Sequence, residues 1–387
     1  MLLAGLSPAL ATVRADNASL ASIFTNSPAH PKAHPSGLRR PSLIFIACHG
    51  LAWGDLSCYG QTNFQTPNLD RLAAEGMRST NYRAGGEDLA SAQAALMTGQ
   101  SGAPAAAGTL ATQLSEAGYA TMLIGEWSLG PEPWKQGFDE FAGFLSEPEA
   151  DNYFSDFIWR YASHGVREGT NYVVHPRFAR EPVYRNTSGR KGEFVPDFLV
   201  GMALRYVAAN VPDAGNRQRP FFLFIDLPFP HSVTPGKDEY PVPTDAPFSS
   251  EPWPQAAKNR AALVTRLDND IGRLVQQLKD IGMTNNVAVF VAGTTAPEKF
   301  ADPGLNFLSL PDEVRGGDSP DRLRVPMIVR WPGHVPAGRV AGTPWSAADF
   351  EPTALELAGQ ESTGLAGTSV LPMLLGKAGA KAAGDSR

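Results

Sequence analysis

The residues that could do chemistry sit just after hydrophobic runs. Cys48 and His49 follow Leu43-Ile44-Phe45-Ile46-Ala47. Glu126 and Ser128 follow the run ending at Ile124, and His231 follows Pro220–Ile225 by way of Pro228-Phe229-Pro230. Gly293 and Thr294 follow Val287–Ala292. A thiol, two imidazoles and a carboxylate (Cys48, His49, His231, Glu126) form a donor set suited to a softer metal such as zinc. Each also has a plainer reading. A buried cysteine behaves as a small apolar residue, a lone histidine is more often structural than catalytic, and Glu126 is expected to point to solvent, the alternative being a pocket that prefers cations. Ser91 would attack an ester only if a base or metal activated it; capping a helix N-terminus is the simpler role. Asp70 suits the first turn of a helix, where the dipole favours an acid.

For these residues to meet, their runs must be neighbours in one sheet. A short apolar run closed by turn residues reads as a strand buried on both faces. In open α/β sheets, ligands sit at the carboxyl ends of strands, which is where His49, Glu126, His231 and Thr294 fall. Strands are predicted at 43–47, 119–124, 220–225 and 287–292. Between them lie helical patterns. Thr66 as N-cap and Pro67 at the first position open one helix, with Leu69, Leu72 and Ala73 as its apolar face. Others are expected at 109–117, 196–210 and 256–281, the last carrying Leu263, Leu267, Ile271, Leu274 and Leu278 at helical spacing. This alternation predicts an α/β sandwich: a large mixed, mainly parallel sheet with helices on both faces.

Several segments occur in an order that resembles one family. They are Gly54-Asp55-Leu56-Ser57-Cys58-Tyr59-Gly60, the stretch 66–85, Ala94-Ala95-Leu96-Met97-Thr98-Gly99, and Gln136-Gly137-Phe138-Asp139. Leu323 to Gly333 and Asp349 to Gly359 complete the set. Together they resemble the sulfatase family of the alkaline phosphatase superfamily over about residues 41–377. The resemblance implies a sulfatase-like domain at 41–377 between tails at 1–40 and 378–387. It also implies a C-terminal subdomain, a small antiparallel sheet with a helix, for which the end of this chain leaves no room. The polar and aromatic region 148–195, with Trp159, Tyr161, Tyr172 and Tyr184, corresponds to the family's cleft lining.

The same resemblance implies a site, and this chain departs from it. The family has two adjacent aspartates where His49 and Gly50 stand. It has Cys (or Ser)-x-Pro-x-Arg where Leu89, Ser91 and Gln93 stand; the Cys or Ser becomes the formylglycine nucleophile, and leucine has no nucleophilic atom. It has Gly-Lys-Trp-His-Leu-Gly where this chain has Gly125-Glu126-Trp127-Ser128-Leu129-Gly130. A carboxylate about 4 Å from a sulfate is repelled by roughly 4 kcal/mol at an effective dielectric of 20. It has Asp and Asn after the fourth strand, where Gly293 and Thr294 stand. His231 alone keeps a sulfate-contacting position, and Arg315 is a candidate stand-in for a missing lysine. Calcium needs six to eight oxygen ligands, and the four positions that would supply the metal site (His49, Gly50, Gly293, Thr294) hold no carboxylate. The expectation is a sulfatase-like protein without sulfatase activity or the family's calcium, binding carbohydrate or a protein partner. The alternative is a hydrolase of sulfate or phosphate esters with a rebuilt site, holding zinc if it holds a metal.

Composition narrows the field. The 387 residues are 43% hydrophobic and 19% charged, with a net charge of −6, which gives no reason to expect nucleic acid. Two cysteines, Cys48 and Cys58, make no disulfide framework and are expected as free thiols. No apolar run reaches the roughly 18 residues of a membrane span. Leu2 to Ala11 has the apolar character of a signal peptide but lacks a basic n-region, the first basic residue being Arg14. A periplasmic or secreted location is the expectation.

Overall fold

The computed structural model describes residues 39–377, apart from 101–107, 131, 169–170, 211–218, 235–236, 238, 297–299, 301, 303 and 306–322. The readings placed on residues 1–38, on Arg315 and on 378–387 lie outside the described residues. In chain order the elements are β1 (Ser42–Cys48), α1 (Pro67–Ala74), β2 (Met77–Ser79), β3 (Tyr82–Arg83), α2 (Leu89–Thr98), α3 (Leu110–Glu116), β4 (Ala120–Glu126) and β5 (Glu140–Phe144). Then come α4 (Glu147–Ala150), β6 (Phe157–Glu168), β7 (Asn171–Pro182), α5 (Val195–Ala209), β8 (Phe221–Leu227), α6 (Gln255–Asp280), β9 (Val287–Gly293) and β10 (Met327–Arg330). The series closes with β11 (Arg339–Ala341), β12 (Trp345–Ser346), α7 (Phe350–Leu357) and α8 (Leu371–Leu374).

Ten strands make one sheet in the order β11-β2-β10-β9-β1-β8-β4-β5-β6-β7. The pairs β9–β1, β1–β8, β8–β4, β4–β5 and β11–β2 are parallel. The pairs on β10 and the β5–β6–β7 run are antiparallel. The sheet is therefore mixed and mainly parallel, with helices on both faces, as expected. Successive residues of β1 point to opposite faces. Ile44, Ile46 and Cys48 pack with Leu69, Leu199, Leu263 and Leu267 of α1, α5 and α6. Leu43, Phe45 and Ala47 pack with Leu96, Leu110, Leu114 and Phe350 of α2, α3 and α7. Each such large side chain contributes roughly 1.5–3 kcal/mol by leaving water, and β1, β8 and β9 are buried along their whole length.

Two cap readings are corrected. Thr66 holds the N-cap position of α1 with Pro67 in the first turn, as expected, but its side chain makes no cap bond; its Oγ1 accepts from the Ser57 amide (3.0 Å). Asp268 of α6 does the capping from across the interface, accepting the Leu69 amide at 2.8 Å and the Asn68 amide at 3.0 Å. A carboxylate there also complements the positive end of the helix. On α2 the cap is Asp88, whose Oδ1 accepts from the Ser91 amide (2.9 Å); Ser91 is the capped residue. Region 148–195, read without elements, contains the long β6–β7 hairpin that closes one edge of the sheet.

Candidate functional site

Register brings the site together. Cys48 lies opposite both Leu227 and Gly293, and Gly125 lies opposite Asp226, so β1, β8, β9 and β4 end level. A glycine is required at 125: its φ is +117°, and a Cβ would stand 1.7 Å from the Asp226 carbonyl oxygen. That close approach sets Glu126 beside the end of β8.

A buried polar cluster fills this edge. His49 Nε2 donates to Asp226 Oδ1 at 2.6 Å. Gln93, on α2, donates through Nε2 to Asp226 Oδ2 (2.7 Å) and to the Glu126 carbonyl (2.9 Å), and its Oε1 accepts from the Ser128 amide (2.8 Å). Ser128 Oγ donates to Glu126 Oε1 at 2.9 Å. Glu126 Oε2 stands 3.8 Å from His49 Nδ1, too far for a hydrogen bond. The expectation that Glu126 points to solvent is overturned: it is fully buried, as is Asp226. The reason is local. Gln93 ties down its carbonyl and Ser128 its carboxylate, so both ends of the residue are fixed inward.

The electrostatics follow from burial and neighbours. Burial works against a charged His49, but the Asp226 charge and hydrogen bond, with the Glu126 charge, outweigh it and raise its pKa above the ordinary value. Burial raises Glu126 to about 7, the His49 charge opposing and the Asp226 charge assisting. The two carboxylates thus outweigh burial at His49, whereas burial itself is the main cause at Glu126.

The outer part of the site is His231 and Asp151. Their Nε2 and Oδ1 atoms lie 3.1 Å apart, and the His231 ring is 5.9 Å from that of His49. Gly50 permits this approach. Its φ is +67°, and a Cβ there would stand 2.9 Å from His231 Cβ. The Gly50 amide donates to Thr295 Oγ1 (3.0 Å), and the Thr294 amide donates to the Cys48 carbonyl (3.2 Å). Beneath the loop, Arg260 donates to both oxygens of Asp55 (3.0 and 2.8 Å) and to the carbonyls of Gly50 (2.8 Å) and Pro230 (2.6 Å).

A sulfatase family model matches residues 41–360. The chain belongs to the sulfatase family. It is 27% identical over 373 residues to N-acetylgalactosamine-6-sulfatase of Canis lupus familiaris, covering 87% of this chain and 66% of that one. It is 28% identical over 368 residues to arylsulfatase A of Homo sapiens, covering 87% and 68%. The chain thus spans about two thirds of the length of these relatives. Among solved structures, Ps i-CgsB superposes with a TM-score of 0.68 at 25% identity, covering 88% of this chain and 77% of that one; it is also known in complex with k-i-k-neocarrahexaose. The phosphonate monoester hydrolase of Agrobacterium radiobacter shares the fold, with a TM-score of 0.58 at 20% identity over 87% of this chain and 77% of that one.

Of the residues at the family's motif positions, His49, Gln93, Glu126 and Ser128 meet in one polar cluster, Gly50 and His231 lie beside it, and Thr294 bonds the end of β1 through its amide. Leu89 is the first residue of α2 and buried. Gly293 takes part through its backbone, donating to the Pro326 carbonyl at 3.0 Å. Cys48 faces the apolar cluster, where burial pushes its thiol pKa upward. Both cysteines are free thiols. Among the described residues, no group of three or more His, Cys, Asp or Glu is arranged to hold a metal ion, and no helix is long and apolar enough to cross a membrane. Sequence reasoning missed Asp226, Asp151 and the Asp55–Arg260 pair. Asp226 could have been found: an acid ending Phe221-Phe222-Leu223-Phe224-Ile225 obeys the strand-end rule already applied to His49.

Proposed function

We propose that this sulfatase-family protein does not hydrolyse sulfate esters by the formylglycine route and is instead a binding protein whose ligand class is carbohydrate. The observation that carries this is His49 hydrogen-bonded to Asp226 with Glu126 on its other side. An imidazole stands where the family resemblance implies a metal-binding aspartate. The residues present do not fit calcium. Both oxygens of Asp226 already accept hydrogen bonds, from His49 and Gln93, and one oxygen of Glu126 accepts from Ser128. Too few oxygens remain for a coordination number of six to eight. Leu89 at the nucleophile position supports the same reading, as does Glu126 in place of a sulfate-binding lysine. Carbohydrate is favoured by the aromatic region 148–195 and by the neocarrahexaose complex of Ps i-CgsB. An exported protein suits such a ligand.

The test is elemental mass spectrometry after exposure to calcium, magnesium, manganese and zinc, with a glycan array on the same protein. The expected outcome is no stoichiometric calcium and binding to at least one glycan class. One equivalent of calcium, or sulfate release from an aryl sulfate, would overturn the loss of activity; a blank array would overturn the carbohydrate part. A second reading, an ester hydrolase with a rebuilt site, is favoured by the Asp226–His49 pair, which has the form of an oriented general base. One equivalent of zinc, lost in His49→Ala and His231→Ala, would support it.

A further inference from the structure

The site leaves buried oxygens without hydrogen bonds from the protein. Glu126 Oε2, Asp151 Oδ1 and Thr294 Oγ1 are buried oxygens that take no hydrogen bond from the protein. Asp151 Oδ1 is close to His231 Nε2 but out of line with it. Buried oxygens left in this state are uncommon, and each calls for an explanation. Glu126 is 0% exposed and Thr294 2% exposed. Thr294 comes from a different strand end, and its hydroxyl, which can donate as well as accept, is a further buried polar group without a partner.

Glu126, Glu147, Asp151 and Asp226 stand against two imidazoles, His49 and His231, with Glu147 close enough to act on both His49 and Glu126. Arg260, the nearby guanidinium, is matched by Asp55. Asp151 and His231 are the partly exposed members, with side chains 22% and 15% exposed, while Glu126 is fully buried.

We propose that the site takes a cation, specifically a protonated amine, the opposite charge to the sulfate that the family resemblance implies. This rests on the ligand-binding reading above and names the ligand's chemistry. An ammonium group offers three N–H donors and no acceptor, which complements unpaired oxygens directly. A hard metal ion would need more oxygens than the site has free. On a carbohydrate, the matching group is the free amine of an unacetylated, unsulfated amino sugar.

The test is titration calorimetry at pH 7 with methylammonium, D-glucosamine, N-acetyl-D-glucosamine and D-glucosamine 6-sulfate, on the parent and on Glu126→Gln, each checked for fold by circular dichroism. Glucosamine is expected to bind at least tenfold more tightly than its acetylated and sulfated forms, with that ratio erased in Glu126→Gln. Equal affinity for the amine and acetamide forms, or tighter binding of the sulfated sugar, overturns the cation assignment and leaves the carbohydrate reading standing. Binding of methylammonium without any sugar upholds the cation site and removes the carbohydrate reading. No binding of any probe overturns both.

Discussion

Two buried charge clusters lie at the same edge of the sheet and are built differently. In the first, Arg260 and Asp55 are both fully buried, and every strong group has a partner. Asp55 takes two bonds from the guanidinium and one from the Ala52 amide (2.8 Å), while Arg260 also serves two carbonyls. In the second, His49 is shared unequally between Asp226 and Glu126, at 2.6 and 3.8 Å, and one Glu126 oxygen goes without. A saturated cluster holds backbone in place. An under-satisfied one keeps a capacity to bind or titrate. The difference separates scaffold from site more sharply than burial does, because both are equally dry.

The largest effect is expected in the saturated cluster. Arg260→Met leaves Asp55 charged and unpaired in the interior and frees two carbonyls. Breaking a buried pair from one side costs about 3–5 kcal/mol, so the urea midpoint should fall steeply. The double variant Asp55→Leu with Arg260→Met should recover much of that loss, since no uncompensated charge remains. A loss under about 1 kcal/mol in the single variant would mean that the pair is not the clamp described.

The second effect is a pH dependence that belongs to the other cluster. Folding raises Glu126 from the ordinary carboxyl range to about 7. Between those values the folded state keeps a proton that the unfolded chain has released, so stability falls as pH rises. His49 acts in the same direction. Its folded pKa is also raised, so its contribution is complete below the ordinary imidazole value and is lost as pH climbs through the folded one. Glu126→Gln removes the carboxyl part. The stability difference between variant and parent should be near zero below pH 4.5 and should favour the variant by on the order of 2 kcal/mol at pH 8. A difference that does not grow with pH would contradict the burial of a titrating Glu126.

The contrast also explains what was legible in the sequence. The frame was, because it is built from local rules: apolar runs at strand length, helical spacing in 256–281, and turn glycines. The positions of the site were legible as well, since strand ends and motif register fix where His49, Gln93, Glu126 and Thr294 fall. What they do there was not. Gln93 reads as a lost arginine, yet it is the hub that joins Asp226, Glu126 and Ser128. Glu126 reads as a surface acid, because its burial depends on Gln93, 33 residues away. The Arg260–Asp55 pair joins residues 205 apart, and nothing in a helical pattern marks one arginine as fully buried. The N-cap position of α1 at Thr66 was legible, but the carboxylate that accepts its first amides, Asp268, comes from another helix. Pairings across the chain are decided by tertiary packing, which period and propensity do not encode.

The smallest effect tests the under-satisfied cluster from its rim. Ser128 Oγ donates to Glu126 Oε1 at 2.9 Å, a bond that favours the ionised carboxylate. Ser128→Ala removes it and leaves a second Glu126 oxygen without a donor. The cost should be about 1 kcal/mol where Glu126 is ionised and smaller where it is protonated, because a neutral carboxyl needs its acceptors less. Stability measured at pH 8 and pH 5 should therefore show the larger loss at pH 8, and Glu126 should titrate higher still. An equal loss at both values would make Ser128 a packing residue.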